Sequence, residues 1–282
     1  MHKLKRNCLL KVLVSILVIS SCREKTESNT GKFTIIRQAG IIEPELSIDL
    51  GDFLPSNKLK ASVVHIKYDH FFKTSKSYLG YSLKTLLDTI IKQNNFDTSN
   101  AMVVLECKDG YKPQMELSKI YGKVNGYVAF KDLDPDNIND WTDSLKDKLS
   151  PYYLVWDNVL PEDDTYMWPY GLVRIKLTSI NVVYESIYPW KDSTLIRGFN
   201  LFRMNCMKCH SINNVGGTMG PEFNIPKNIT EYWKDKDILE FAKNPTAYRK
   251  NSDMPAMPNI PEADYNEMIS YLKYMKDFKK SK

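Results

Sequence analysis

Two cysteines and a histidine stand within five residues in the C-terminal third of the chain, in the run Cys206-Met207-Lys208-Cys209-His210. C-x-x-C-H is the spacing of c-type haem attachment, in which two thiols three positions apart form thioethers with one porphyrin. The histidine that follows presents its imidazole to the iron. C-x-x-C also occurs in thiol redox sites and zinc sites. The run therefore predicts one covalent haem c, with a redox or zinc site as the alternatives.

The surrounding residues favour haem. Gly198, Phe202 and Cys206 are spaced by four, which places them on one face of a helix that leads into the motif. The glycine permits close approach of another helix, and the phenylalanine is expected beside the haem. No Cys or His follows His210, so a zinc site would lack its second ligand pair. A thioredoxin-like C-x-x-C would begin a helix rather than end one.

The sixth iron ligand is expected to be methionine, because the C-terminal part of the chain has no histidine besides His210. Met254 and Met257 both precede a proline, just before a predicted helix at residues 261–276. Either could instead be a core methionine that fills a gap. His/Met ligation leaves no open iron position and raises the reduction potential, which suits one-electron transfer.

Residues 193–282 resemble a class I cytochrome c domain. The resemblance comprises, in order, G-x-x-x-F-x-x-x-C-x-x-C-H from Gly198, Gly220-Pro221, Met254-Pro255, and Tyr271-Leu272 in the last helix. It implies that Cys206 and Cys209 hold the porphyrin and that His210 is the proximal ligand. The Pro221 carbonyl would accept the His210 Nδ1–H. Met254 would be the distal ligand, with Met257 as the alternative.

The N-terminus has the features of an export signal. Basic residues precede an apolar run at residues 8–19, which is too short to span a bilayer. Ile19-Ser20-Ser21-Cys22 then resembles a bacterial lipobox, which implies cleavage after residue 21 and acylation of Cys22. An ordinary secretory signal with an incidental cysteine is the alternative. We expect a signal peptide at 1–21, a polar tether at 22–32, and a lipid-anchored protein of the cell envelope that faces the periplasm.

Two folded domains are expected after the tether. Residues 33–188 predict a mixed α+β domain, with strand-like runs at 33–37, 62–68, 101–106, 152–155 and 172–184. A helix is predicted at 81–94 with Ser82 as its N-cap, a turn at Asp109-Gly110, and a polar surface loop at 132–147. Residues 189–282 predict an all-α domain.

The first domain also resembles a known family, but through shorter and less specific motifs. Short motifs between residues 67 and 180, including Val103–Tyr111 and Trp168-Pro169-Tyr170, resemble a truncated sulfite-oxidase-type molybdopterin-binding domain. In catalytic members a cysteine thiolate binds molybdenum, and Cys107 lies near that position. The residues after Cys107 depart from the catalytic pattern, and the pterin-binding residues are not evident. We therefore expect Cys107 to be a buried strand cysteine, His65 and His70 to be packing or surface residues, and molybdopterin to be absent.

The composition and the net charge exclude some classes of function. The chain has 282 residues with 43% hydrophobic and 26% charged residues, as in folded soluble domains. Its net charge of +5 comes mostly from the signal segment, so nucleic acid is not an expected partner. The main hypothesis is an anchored electron carrier that docks briefly with redox protein donors and acceptors. The alternatives are a molybdenum-dependent oxidoreductase with the haem as its electron acceptor, and a haem sensor.

Overall fold

The computed structural model describes residues 32–38, 41–134 and 149–280. The predicted signal peptide, Cys22 and nearly all of the predicted loop at 132–147 lie outside the described residues. The chain forms a β-rich N-terminal region followed by a helical C-terminal region, which confirms the predicted succession of a mixed and a helical part. No helix in the described ranges combines the length and the apolar character needed to cross a membrane.

The N-terminal region is built on one antiparallel sheet. Its strands are β1 (Lys32–Gln38), β2 (Ile41–Asp49), β3 (Ser62–Ile66), β4 (Lys76–Ser82), β5 (Ala101–Cys107), β6 (Gln114–Glu116), β7 (Gly126–Asp132), β8 (Tyr152–Trp156) and β9 (Tyr170–Ser179). They are ordered β1-β2-β9-β8-β7-β4-β3, and β5 pairs with both β9 and β6. Strand β5 pairs with β9 from Ala101↔Ser179 to Cys107↔Leu172. Its last residue, Cys107, therefore lies near the N-terminal end of β9.

Within the described ranges, four short or medium helices accompany this sheet: α1 (Leu50–Ser56), α2 (Leu83–Asn94), α3 (Leu117–Ile120) and α4 (Ile180–Tyr184). The Ser82 hydroxyl caps α2 by accepting from the Thr85 N–H at 3.3 Å, as predicted. The apolar residues at helical spacing in α2 are buried in the core of this region. Helix α2 begins two residues later than predicted, because Tyr81 and Ser82 pair in β4 with β7.

One predicted strand is too long. Strand β9 ends at Ser179, whereas the sequence pattern predicted a strand to residue 184. The Ser179 side chain accepts from the Val182 N–H at 3.2 Å and so caps α4. The alternation of apolar residues therefore continues past the strand into a helix, where the N-cap decides the conformation.

The C-terminal region contains α5 (Ile196–Asn205), α6 (Asp235–Lys243), α7 (Pro245–Tyr248) and α8 (Glu262–Met275), with 3-10 turns at Ser193–Leu195 and Ile229–Glu231. The final helix was predicted within one residue at each end. The all-α prediction needs a correction, because strands β10 (Ser211–Ile212) and β11 (Val215–Gly216) pair as a small hairpin directly after the C-x-x-C-H motif.

Helices α5 and α8 cross at Gly198. A Cβ on this residue would lie 2.2 Å from the Glu267 carbonyl oxygen, so only glycine allows the two backbones to approach this closely. Beside the crossing, the Phe199 and Phe202 rings contact Tyr271 at centroid distances of 5.6 and 5.8 Å. The predicted role of Gly198 is thereby confirmed, and the crossing fixes the helix that leads into the motif.

The two regions share buried contacts. Met102 of β5, Tyr184 of α4 and Ile187 pack in the core of the helical region. The Tyr271 hydroxyl donates to the Ile187 carbonyl at 2.7 Å. The sheet and the helices are therefore joined by packed side chains as well as by the chain connection.

Candidate functional site

The C-x-x-C-H motif forms a tight turn at the end of α5. The Cys206 N–H still bonds to the Phe202 carbonyl at 2.8 Å, and the His210 N–H bonds to the Cys206 carbonyl at 2.9 Å. Cys206 and Cys209 are both half-buried and unpaired. Burial raises the pKa of the Cys206 thiol to about 12, and it also raises that of Cys209. Both side chains are therefore neutral thiols that face one site.

The His210 ring is held in one tautomer. Its Nδ1 lies 2.9 Å from the Pro221 carbonyl oxygen, which can only accept a hydrogen bond, so Nδ1 carries the proton. Burial lowers the pKa of this imidazole, against the smaller opposing effect of the Pro221 hydrogen bond. The ring stacks on Phe223 at a centroid distance of 4.3 Å. A neutral, oriented ring with its lone pair on Nε2 is the form that ligates a metal.

These residues line a cavity of about 350 Å³, at the lower end of the range of about 300–1,000 Å³ typical of ligand sites. Cys206, Cys209, His210 and Pro221 all contribute to its wall, and so do both candidate methionines. The remaining lining is mostly apolar and aromatic, including Phe202, Phe223, Ile229, Trp233, Ile238, Phe241, Met268, Ile269 and Leu272. Two thiols, an imidazole and thioether sulfurs in an apolar pocket fit a covalently attached haem.

Met254 and Met257 reach this cavity from the loop before α8, and both are half-buried. The Met257 backbone is tied at two points: its N–H donates to the Ala242 carbonyl at 3.1 Å, and its carbonyl accepts from the Tyr265 hydroxyl at 2.8 Å. The Met254 N–H lies 3.3 Å from the Ser252 hydroxyl. The structure thus brings both predicted ligand candidates to the same wall.

Residues 193–272 match the family described as cytochrome c oxidase, cbb3-type, subunit III. Cytochrome c of Gibberella zeae is 30% identical over 98 residues, which cover 27% of this chain and 90% of that protein. Cytochrome c of Kluyveromyces lactis is 23% identical over 104 residues, covering 30% of this chain and 93% of that protein. Through its C-terminal region, the chain belongs to the cytochrome c family.

A further relative is cytochrome c oxidase subunit 2 of Alkalihalophilus pseudofirmus, which is 29% identical over 86 residues. The match spans only 25% of the length of that subunit. Membership of the cytochrome c family indicates an electron carrier that transfers electrons through haem. It also indicates that the partners are redox proteins.

Two residues of the cytochrome c site were not anticipated from the sequence. Phe223, which stacks on His210, follows Pro221 by two residues, but nothing in its local pattern distinguishes it from a core phenylalanine. Arg249 contributes a cation to the cavity wall, and its guanidinium lies 5.5 Å from the centroid of Phe241. Its only sequence signal was its place between two predicted helices, a few residues before Met254.

The candidate residues of the N-terminal region do not form part of the cytochrome c cavity. Cys107 is the buried last residue of β5, and burial raises the pKa of its thiol far above the usual range. Exposed His65 lies 2.9 Å from the Ser77 hydroxyl, whereas His70 stacks on Trp168 at 4.7 Å. Among the described residues, no group of three or more His, Cys, Asp or Glu is arranged to hold a metal ion. The sulfite-oxidase-type resemblance remains a prediction.

Proposed function

We propose that the protein is a membrane-anchored c-type cytochrome that passes single electrons between redox proteins of the bacterial cell envelope. Cys206 and Cys209 would form thioethers with one haem, and His210 would bind its iron through Nε2. When bound, haem supplies an iron that gains and releases one electron at a time. The observation that carries this proposal is the convergence of both thiols, the oriented imidazole and the methionines on one apolar cavity.

We assign the sixth ligand to Met254. Both methionines precede a proline, but Met254 lies 17 residues before Tyr271, the spacing that is usual in class I cytochromes c. The two hydrogen bonds on the Met257 backbone suit a residue that anchors the loop to α6 and α8. A neutral thioether ligand favours the reduced iron, and the apolar wall limits access of water to it. Both effects would give this cytochrome a raised potential.

The remaining parts of the proposal concern location and partners. Acylation of Cys22 would attach the mature chain to a membrane through the tether at 22–32, with both domains in the periplasm. The domain at 33–188 would carry no cofactor and would serve in docking or as a scaffold. Encounters with the electron donor and acceptor would be brief, through small interfaces. A Cys22→Ser variant tests the anchor, because it should move the holoprotein from the membrane fraction to the soluble fraction.

The ligand assignment is tested with two matched variants, Met254→Ala and Met257→Ala, each purified with haem. We expect Met254→Ala to lower the midpoint potential by a measurable part of the roughly 0.8 V range that axial ligands control. Its reduced form should bind carbon monoxide, which the reduced wild type should not. Met257→Ala should keep the wild-type potential and should not bind carbon monoxide. The opposite pattern would assign Met257, and carbon monoxide binding by the wild type would favour a sensor.

A further inference from the structure

A backbone turn of the N-terminal region contacts the haem-attachment segment on both sides. This turn, residues 108–112, joins β5 to the residues before β6 and is called the bracing turn below. The Lys112 N–H donates to the Lys208 carbonyl at 2.8 Å. The Gly110 carbonyl accepts from the Thr218 N–H, also at 2.8 Å. Both bonds join backbone groups that are about a hundred residues apart in sequence.

The two segments that the bracing turn contacts also bond to each other. The Gly217 N–H donates to the Met207 carbonyl at 2.8 Å, and the Gly220 N–H donates to the Cys209 carbonyl at 2.8 Å. Gly220 lies directly against the His210 ring, since a Cβ there would be 2.3 Å from Cε1. The contacted loop therefore includes one haem-binding thiol and the backbone that packs against the proximal imidazole.

The fit of the bracing turn is tight at Gly110. Its φ of +90° is a conformation that residues with a side chain rarely adopt. A Cβ on Gly110 would lie 2.5 Å from the Thr218 hydroxyl oxygen and 3.0 Å from the Met219 nitrogen. Glycine is thus required both by the local backbone and by the contact across the two regions.

The bracing turn is itself held by the sheet. The Cys107 N–H bonds to the Tyr111 carbonyl at 3.0 Å, and the Gly110 N–H bonds to the Cys107 carbonyl at 3.1 Å. The Tyr111 ring packs against the N-terminal core, with its hydroxyl 3.8 Å from the Met167 sulfur. The Lys208 ammonium lies 3.8 Å from the same sulfur. The sheet therefore restricts the movement of the turn, and the turn restricts the movement of the haem-attachment segment.

We propose that the bracing turn is a positioning element for the haem site. It holds the Lys208–Cys209 and Thr218–Gly220 backbones together and thereby fixes the packing of Gly220 on His210. This inference rests on the proposed haem attachment. Solvent access and the orientation of the proximal ligand both influence potential, and added water favours the more positively charged ferric state. Loosening the turn should therefore lower the potential.

The test compares Gly110→Ala with the control Gly122→Ala in the full-length holoprotein. The control places a Cβ 2.9 Å from the Lys119 carbonyl oxygen, a similarly close contact confined to the N-terminal region. Midpoint potential and backbone amide exchange of residues 206–220 are measured. We expect Gly110→Ala to lower the potential and to speed this exchange about tenfold or more, because the segment loses its support. The control should change neither. A folded Gly110→Ala protein with wild-type potential and exchange would overturn the proposal.

Amide exchange of the wild type decides the matter if Gly110→Ala does not fold. The Lys112 and Thr218 amides should exchange at least about 100-fold more slowly than in an unstructured peptide. Amides that exchange at both positions as fast as in an unstructured peptide would contradict the two hydrogen bonds and overturn the proposal. Haem content is measured on the same sample. A wild type with protected amides but no covalent haem would contradict the proposed function and not the contact, so the two failures are distinguishable.

Discussion

Substitution of Gly198 by alanine tests the helix crossing that supports the haem-attachment motif. The added Cβ would meet the Glu267 carbonyl oxygen at 2.2 Å, whereas ordinary contact begins at 3.4 Å. Helices α5 and α8 would therefore have to move apart by roughly 1 Å, a gap that forfeits up to about half of each dispersion contact across it. The affected contacts include those of Phe199 and Phe202 with Tyr271.

The sign of this effect is informative, because alanine in a helix interior is normally better than glycine by about 1 kcal/mol. Overpacking typically costs about 1–3 kcal/mol. Each aromatic pair is worth about 0.5–1.5 kcal/mol, and up to about half of this is lost for each of the two pairs. We expect Gly198→Ala to lower the free energy of unfolding by about 2 kcal/mol after the gain in helix propensity. For a domain of this size, that corresponds to a decrease in Tm of about 8–16 °C.

Thermal unfolding of the full-length holoprotein, followed by haem absorbance, reports on the cytochrome domain separately from the sheet. Met204→Ala is a suitable control, because Met204 lies on the same helix with its side chain 58% exposed. The control should remain within about 0.5 kcal/mol of the wild type. A Gly198→Ala protein as stable as the wild type, or more stable, would show that the helices do not cross as closely as described.

Two further predictions concern polar groups. Asn224→Ala should lower cytochrome-domain stability by about 2–4 kcal/mol in urea unfolding, since the buried Asn224 amide donates to the Met275 carbonyl and accepts from Asn228; an unchanged midpoint would contradict these bonds. For Glu106, burial would raise the pKa, but the hydrogen bond from Arg174 and a neighbouring lysine lower it overall. Its ionised form therefore stabilises the fold above the unfolded pKa of about 4.3, and this contribution is lost as pH falls through the lower folded pKa. The stability difference between wild type and Glu106→Gln should accordingly shrink between pH 6 and pH 3, and a difference independent of pH would contradict it.

The parts of the fold that could be predicted from the sequence are those that neighbouring residues determine. Ser82 as a cap and the apolar spacing after it define α2 from neighbouring residues alone. The role of Gly198 in a close helix contact could be predicted, because its spacing from Cys206 placed it on the helix that leads into the motif. In contrast, β4 includes Gly80, Tyr81 and Ser82, whose strand conformation comes from pairing with β7 almost fifty residues away. Strand β7 itself was not predicted, because its partners on both sides are distant in sequence.

The candidate site shows the same division. Cys206, Cys209 and His210 are adjacent, so their joint placement follows from one turn of backbone. The Pro221 hydrogen bond to His210 could be expected only from a family resemblance, and the structure has it at 2.9 Å. The stacking of Phe223 and the contact of Gly110 with Thr218 depend on how distant segments meet. No local sequence pattern predicts such contacts, so they can be identified only once the fold is known.

Covalent haem attachment is the central claim, and the intact mass of the denatured protein tests it most directly. The full-length chain is made in a bacterial host that attaches c-type haem, beside a Cys206→Ala/Cys209→Ala variant. The account predicts that the wild type retains the mass of one haem after denaturation and that the variant has the mass of the polypeptide without haem. A wild type without added haem mass, from a host that matures a known c-type cytochrome in parallel, would contradict the account.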